Sequence, residues 1–325
     1  MKTLSRHQFL KKMGAVAGLS VIQNPLISAE SKPGKVKSDS LTTQLYKSLN
    51  EEQHNKICFP IGDMRQSFLS NWWYISQKNR LSNTLNKEQH DLFMNIFDDF
   101  HSEEYKELVY DQVVIDSYKG GFDSSSIGFF GKPGDKNFEL VFTGHHVTRR
   151  CFGNSDTNLG FGGPVFYGHF PDKFVETKDH PGNLYWYQGK IINKVYQSLD
   201  GKQQKKSLMM DSKPRSENKN YPYSFKTENH HGLSTKDMSK DQQTLFINSM
   251  RDMLAIFRKD DIDASMKLIE NDFKNLHLAF YGKDKYDVGN DKVWDVWSIE
   301  SPNMVWYFRG QPHIHCYLNI RNEMS

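Results

Sequence analysis

One helix-start pattern occurs four times in this chain, and it limits where four helices can begin. Each copy has a capping residue followed three positions later by glutamine, at Asn50, Asn86, Asp200 and Ser239. In such a capping box the two side chains satisfy backbone N–H groups that the first helical turn leaves without acceptors. A leucine or methionine precedes every copy and can pack against that turn. We therefore predict a helix after each of these positions.

Two of the four helices have a clear apolar face. The apolar side chains recur at spacings of three and four residues, at Leu92, Phe93, Ile96, Phe97 and Phe100 and at Leu245, Phe246, Met250, Met253 and Leu254. This spacing is typical of helices that are half-buried against another layer of the protein. Plain core packing is the function we expect of both faces.

Strand patterns lie between the helical ones. Two aromatic-rich stretches, 138–152 and 305–319, are predicted as the principal strands, and shorter ones are predicted at 163–170, 183–187, 276–281 and 293–299. Alternating helical and strand blocks indicate an α+β protein in which helices pack on an antiparallel or mixed sheet.

The order of these features also predicts an internal duplication. Two capping boxes precede each principal strand, 36 residues apart in the first case (Asn50 to Asn86) and 39 in the second (Asp200 to Ser239). We predict one compact domain over residues 42–325. Its halves, 42–195 and 196–325, would be related by a pseudo-twofold axis that brings the two principal strands together.

Residues 1–29 are predicted to be an export signal. They contain four basic residues and no acidic one, and residues 13–22 form an apolar run. Ten apolar residues are too few to span a bilayer, and the small residues at Ser28-Ala29 are typical of a cleavage site. We expect a periplasmic or extracellular protein, with residues 30–41 as a polar linker.

The export route stays open between two pathways. Residues 5–11 read SRHQFLK, which is similar to the twin-arginine pattern S-R-R-x-F-L-K, but His7 replaces the second arginine. Twin-arginine export and the general secretory route are both compatible with this segment.

Charge and composition exclude several classes of partner. The formal net charge is +3; removing the four cations of the export signal leaves −1. A near-neutral protein does not argue for nucleic acid or an anionic membrane. No later run of eighteen apolar residues exists, so no membrane span is predicted in the mature chain. The sequence also lacks a phosphate-binding loop, which argues against a nucleotide cofactor.

Three cysteines, Cys58, Cys151 and Cys316, are present and none lies in a CxxC motif. A sulfur-based zinc knuckle is therefore excluded. In an oxidising compartment one disulfide and one remaining thiol are expected, and all three pairings stay open.

Four of the thirteen histidines lie in the two principal strands, as His145, His146, His313 and His315. Alternate residues of a strand share a face, so His313 and His315 are predicted to point the same way, together with Tyr317. His145 and His146 are adjacent and would face opposite sides. Only one of them is expected to join the other pair, unless a bulge turns both.

Neutral imidazoles suit zinc, copper or iron, and three histidines with an open position form a catalytic type of site. We therefore predict a transition-metal site whose ligands come from His145, His146, His313 and His315, with His169 as a weaker fourth candidate. A metal-free polar or catalytic site, and purely structural histidines, are the alternatives.

Further candidates lie close to the histidines in the sequence. His145, His146, Arg149 and Tyr317 are candidate catalytic residues, and Arg149 with Arg150 would bind a carboxylate or be solvated. The segment Trp72 to Tyr74 is predicted as core rather than as a stacking platform.

Several of these motifs together resemble a known family. They are Trp72 to Tyr74, Gly144-His145-His146, Phe166-Tyr167-Gly168, Leu276 to Gly282 and His313-Ile314-His315. In this order they resemble the bacterial family of unknown function DUF3500 over about residues 49–319. The resemblance implies export but no reaction. It also implies an acidic residue soon after the His-x-His motif and a different residue at position 169, where this chain has Cys316 to Asn319 and His169.

These features lead to one functional expectation and two alternatives. We expect an exported, histidine-ligated metal-dependent enzyme, a hydrolase or an oxidoreductase, that acts on a small molecule. A non-enzymatic exported protein that binds a small ligand is one alternative. A metal-free hydrolase with a histidine general base is the other. Oligomeric state, substrate and metal identity are not determined by the sequence.

Overall fold

The computed structural model of the chain describes residues 38–152, 163–169, 183–209, 224–282 and 293–321. The predicted export signal lies outside the described residues. The helices are α1 (Ser38–Ser48), α2 (Glu51–Ile57), α3 (Met64–Ser67), α4 (Leu81–Thr84), α5 (Lys87–Asp99), α6 (Lys106–Asp116), α7 (Trp186–Ser198), α8 (Gly201–Ser207), α9 (Lys240–Met253) and α10 (Lys259–Asp272). Short 3₁₀ turns lie at Phe122–Ser124, Thr235–Asp237 and Phe273–Asn275.

Ten strands form one sheet in the described part of the chain. They are β1 (Cys58–Phe59), β2 (Ser126–Phe130), β3 (Glu139–Gly144), β4 (Val147–Phe152), β5 (Val165–Gly168), β6 (Leu233–Ser234), β7 (His277–Phe280), β8 (Val296–Ser301), β9 (Met304–Arg309) and β10 (His315–Ile320). Their order is β1-β2-β3-β4-β5-β10-β9-β8-β7-β6. β1 and β2 are parallel and the other neighbours are antiparallel. The predicted α+β class with a mixed sheet is therefore confirmed.

All four predicted capping boxes are present, at the starts of α2, α5, α8 and α9. The apolar faces of α5 and α9 are buried as predicted: Phe93 and Phe97, and Phe246 and Met250, are fully buried in the main core. Complete burial of a large apolar side chain stabilises the fold by about 1.5–3 kcal/mol. These two helices therefore anchor the helical layer to the sheet.

The capping glutamines also make a repeated contact between helices. The side-chain amides of Gln53 and Gln89 exchange two hydrogen bonds of 2.7 and 3.0 Å, and Gln89 Nε2 donates to the Ser48 carbonyl at 2.8 Å. The second half repeats this arrangement with Gln203, Gln242 and Ser198, at 3.0, 2.8 and 2.8 Å. These contacts support two similar halves. The twofold axis itself stays a prediction, because matching contacts do not define a rotation.

Three predicted boundaries differ from the structure. Residues 183–187 were predicted as a strand, but α7 begins at Trp186. α7 packs against α9 as α1 packs against α5. The predicted division at 195/196 lies inside α7 (Trp186–Ser198). α1 begins at Ser38, inside the segment predicted as a linker.

All three cysteines lie in the described residues, and none of them forms a disulfide. Cys151 and Cys316 are buried and Cys58 is half-buried, and burial raises the pKa of both Cys58 and Cys316 to about 12. The expected disulfide is therefore absent from the structure. Among the described residues, no helix is both long enough and apolar enough to cross a bilayer.

Candidate metal centre

His145 and His146 form the two-residue loop of a hairpin. β3 ends at Gly144 and β4 begins at Val147, and these two residues pair across the loop. His146 has a φ of 58°, in the left-handed region that tight two-residue loops use to reverse the chain. The prediction of one continuous strand with the two histidines on opposite faces is therefore wrong, because the chain turns back at this pair.

The second pair lies where β10 begins. His315 is the first residue of β10, and His313 lies two residues earlier in the loop after β9. Along β10, Cys316 lies in the main core under the helices, whereas Tyr317 packs in the cluster on the other face of the sheet. The predicted alternation of faces in this segment is confirmed.

Three histidines from these two places converge into one buried cluster, the histidine triad (His146, His313 and His315). His146 Nε2 lies 2.9 Å from His315 Nε2, and His313 Nε2 lies 3.0 Å from the same atom. One ring nitrogen of each residue lies within 4.8 Å of the others. The side chains are 2–4% exposed. Bulk solvent therefore reaches them very little.

The triad lies at the centre of the sheet, where β5 and β10 are neighbours. Gly168, at the end of β5, pairs with His315 and donates its N–H to the His146 carbonyl at 3.1 Å. A Cβ atom on Gly168 would lie 2.3 Å from the Ile314 carbonyl oxygen and 3.1 Å from the His146 ring. The absence of a side chain therefore lets the hairpin loop approach the start of β10.

Asp116, the last residue of α6, connects the triad to other histidines. Its Oδ2 lies 3.5 Å from His146 Nδ1, and its Oδ1 lies 3.3 Å from His169 Nδ1. Its backbone carbonyl lies 2.6 Å from His145 Nδ1. Because a carbonyl can only accept, His145 Nδ1 carries a proton and donates this bond.

The electrostatics of the site favour an ionised Asp116 beside neutral imidazoles at His146 and His315. Burial alone raises the pKa of Asp116, but hydrogen bonds from His146 and His169 outweigh it and bring that pKa to about 2. Burial lowers the pKa of His146 to about 3. Burial, reinforced by the charge of Arg309, holds the pKa of His315 well below its ordinary range. Neutral imidazole is the form that binds metal ions.

The structure does not bring every predicted candidate into the triad. His145 packs against the triad member His146, with ring centroids 4.0 Å apart, but its Nδ1 donates to the Asp116 carbonyl. His169 Nδ1 lies 2.6 Å from Gln112 Nε2, on the far side of Asp116. Among the described residues, the group of nitrogens close enough to share an ion has three members.

The other catalytic candidates lie in the core around the site. Arg149 is buried, and its Nε donates to His101 Nε2 at 3.0 Å. Arg150 pairs with Glu139 at 2.9 Å, also buried. Neither arginine is solvated, and these contacts give no support for a role at the triad. The Tyr317 ring lies 4.7 Å from Phe166, whose own ring is 5.4 Å from that of His315.

Two polar residues of the site were missed by the sequence reasoning, Gln112 and Asp116. They lie four positions apart on α6 and therefore on one face of that helix. Both are buried, and the same helix buries Leu108, Val109 and Val113. The sequence pattern that could have identified them is a pair of polar residues at helical spacing within an apolar run. Asp116 also supplies an acidic partner that the segment after His315 lacks.

Comparison with known proteins gives the family of this chain. The family model described as protein of unknown function (DUF3500) matches residues 35–323, nearly the whole length, so the chain belongs to that family. No curated protein and no solved structure matches it. Membership thus agrees with the resemblance of the motifs, and it supplies no reaction.

Proposed function

We propose that this DUF3500 protein binds a transition-metal ion at the histidine triad and acts as an exported metal-dependent enzyme, a hydrolase or an oxidoreductase. One observation carries the proposal. Three buried imidazole nitrogens meet within 4.8 Å, although His146 and His315 are 169 residues apart in the chain. A shared cation would explain why three buried imidazoles are brought together away from water.

The spacing of the nitrogens is compatible with a metal. Two imidazole nitrogens on one tetrahedral zinc ion, each about 2.0–2.1 Å from it, lie roughly 3.3–3.4 Å apart. The two distances of 2.9 and 3.0 Å need only a small outward adjustment. Zinc, copper and iron all accept such ligands. The three histidines would be the protein ligands, and a metal held by them would supply the activation of a water near neutral pH.

Asp116 supports the same assignment. Its carboxylate faces the Nδ1 atom of His146, while the Nε2 atom of that ring faces the other histidines. A carboxylate on the outer nitrogen of a metal-binding histidine fixes the tautomer and raises the basicity of the inner nitrogen. In this proposal, Asp116 positions the ligand His146.

Metal analysis of tag-free protein tests the proposal directly. We expect about one metal ion per chain, and we expect the double change His313→Ala and His315→Ala to remove it, because two of three ligands are lost. His90→Ala serves as the matched control, since His90 pairs with Asp123 away from the triad. A metal content below about 0.2 per chain that zinc, copper and iron do not restore would contradict the proposal.

A metal-free function is the second candidate. The distances of 2.9 and 3.0 Å are ordinary hydrogen-bond lengths, so the triad can also be a network in which one imidazole donates to another. In that case one histidine would act as general base in a hydrolase, or the pocket would bind a small ligand without chemistry. Protein that stays active, or that binds its ligand, after complete metal removal favours this candidate.

Export is proposed on the sequence alone. The basic start, short apolar run and small-residue cleavage site at residues 1–29 support a periplasmic or extracellular location. Fractionation of cells that express the full chain tests it, with the first 29 residues deleted as the control. Retention of the full chain in the cytoplasm would contradict it.

A further inference from the structure

Two large aromatic side chains are exposed close to the histidine triad. Trp72 is 57% exposed and Tyr118 is 53% exposed, and their ring centroids lie 5.9 Å apart. Trp72 was predicted as core, and that prediction is wrong. Aromatic rings of this size dominate core energetics when buried, so two that stay exposed side by side need a reason.

Both rings pack on His145, and the three rings form what we call the ring platform (Trp72, Tyr118 and His145). The Trp72 ring lies 4.9 Å from that of His145, and the Tyr118 ring lies 5.1 Å from it and nearly parallel, at 10°. His145 in turn packs against His146 of the triad, with ring centroids 4.0 Å apart and the rings tilted by 31°. The platform therefore reaches the triad through a single imidazole ring.

The backbone holds the platform in place. Trp72 forms a β-bridge with His145, and the N–H of His146 donates to the Asn71 carbonyl at 2.8 Å. The segment that carries Trp72 is thus hydrogen-bonded to the hairpin loop that supplies a triad ligand. A displacement of the Trp72 segment is therefore expected to disturb the hairpin loop, and a displacement of the loop to disturb the segment.

The same place holds unusual backbone conformations. Tyr118 has a φ of 57° and His146 has a φ of 58°, and they are two of three non-glycine residues with positive φ in the described ranges. The left-handed conformation costs an L-residue roughly 1–2 kcal/mol, and residues held in it cluster at functional sites. Tyr118 adopts this costly left-handed conformation, and its ring lies exposed on the platform.

We infer that the ring platform binds one uncharged ring of a small-molecule substrate by its apolar face and holds it beside the triad. Trp72 and Tyr118 present π faces and no charged group, so recognition would come from stacking against an apolar ring face. An aromatic ring and the CH face of a pyranose sugar both offer that chemistry. The inference deepens the proposed function, because it makes the triad the place where the rest of that molecule reacts.

Saturation-transfer NMR with the full chain tests the inference, with phenol and methyl β-glucopyranoside as the two probes. We expect transfer to the ring protons of one probe at about 10 mM, a concentration suited to millimolar affinity. The probe that responds identifies the ring as an arene or a pyranose. Absence of transfer to both would overturn the inference.

Variants localise the binding. Trp72→Ala and Tyr118→Ala should each weaken binding at least about tenfold, whereas Trp72→Phe, which keeps a π face, should stay within about threefold of wild type. Met64→Ala is the matched control, because Met64 is 78% exposed and lies outside the platform. Unchanged binding in both platform alanine variants, with circular dichroism showing a native fold, would place the ring elsewhere and contradict the inference.

Repeating the saturation-transfer measurement after chelator treatment separates the two proposals. Stacking on the platform does not need the ion, so the probe should still bind to metal-free protein. A chain that never holds metal yet binds the probe through Trp72 and Tyr118 would end the proposed metal function and leave the platform intact. A chain that binds metal but neither probe would contradict the ring platform and leave the proposed metal function intact.

Discussion

At the scale of single residues, Asp116 contacts three of the histidines around the site. Its carboxylate approaches His146 and His169, and its carbonyl accepts a hydrogen bond from His145. With a pKa of about 2, this carboxylate is ionised at every pH at which the protein is expected to work. One buried negative charge beside the three buried imidazoles creates an environment that favours a cation.

Asp116→Asn should therefore weaken metal binding without unfolding the protein. The amide has the same shape but no charge, so it orients His146 less well and attracts a cation less. We expect metal affinity to fall about 10- to 100-fold, as is typical when the partner of a metal-bound histidine is changed. Competition with a chelator of known affinity measures the change.

The matched control for this prediction is Asp123→Asn. Asp123 also contacts a histidine, at 2.7 Å from His90, but that pair is half-exposed and outside the triad. The Asp123→Asn protein should bind metal with the affinity of the wild type. An Asp116→Asn protein with full affinity would mean that this carboxylate does not act on a metal ligand.

At the scale of elements, capping boxes set the helix starts, and hydrogen bonds between two capping glutamines join the helices. Gln53 and Gln89 cap their own helices and bond to each other, and both are buried. The corresponding pair, Gln203 and Gln242, makes the same contacts but is only half-buried. The same geometry is thus present twice with different access to water.

Gln89→Ala should destabilise the protein by about 2–3 kcal/mol, because the buried Gln53 amide and the Ser48 carbonyl both lose a partner. Gln242→Ala should cost only about 1 kcal/mol, since water can replace the lost hydrogen bonds there. Urea unfolding of the two variants measures the difference. Equal losses would show that burial does not control the strength of this contact.

At the scale of the whole molecule, the contact between β5 and β10 joins the two parts of the sheet. Strands β1–β5 lie on one side of it and β6–β10 on the other. The triad lies at one end of this contact, where Gly168 faces His315. The fold and the candidate site therefore depend on the same pair of strands.

Gly168→Ala should weaken both the fold and the candidate metal site. Its added Cβ would lie 2.3 Å from the Ile314 carbonyl oxygen, so the strands must separate locally, at a cost of about 1–3 kcal/mol. We expect a lower urea midpoint together with reduced metal content. Gly201→Ala is the control, because a Cβ there meets nothing within 4 Å and alanine suits a helix better. Wild-type metal content in Gly168→Ala would separate the site from this strand contact.

The sequence by itself determined the features that depend on near neighbours. Capping boxes at Asn50 and Asn86 are completed within three residues, so their pattern predicts the helix starts reliably. The alternation that puts Cys316 and Tyr317 on opposite faces of β10 is also a local property of a strand. The fold class followed from the order of such elements.

Only the tertiary structure decided how the site is assembled. Which of His145 and His146 joins the triad depends on a hairpin loop with a left-handed residue, a turn that the continuous strand pattern conceals. Asp116 contacts His146 from a separate helix. Trp72 is exposed because its segment pairs with the hairpin loop at His145 and does not enter the core. These outcomes rest on contacts between segments 29 to 169 residues apart. Periodicity and capping describe a few neighbouring residues and contain no information on such pairings.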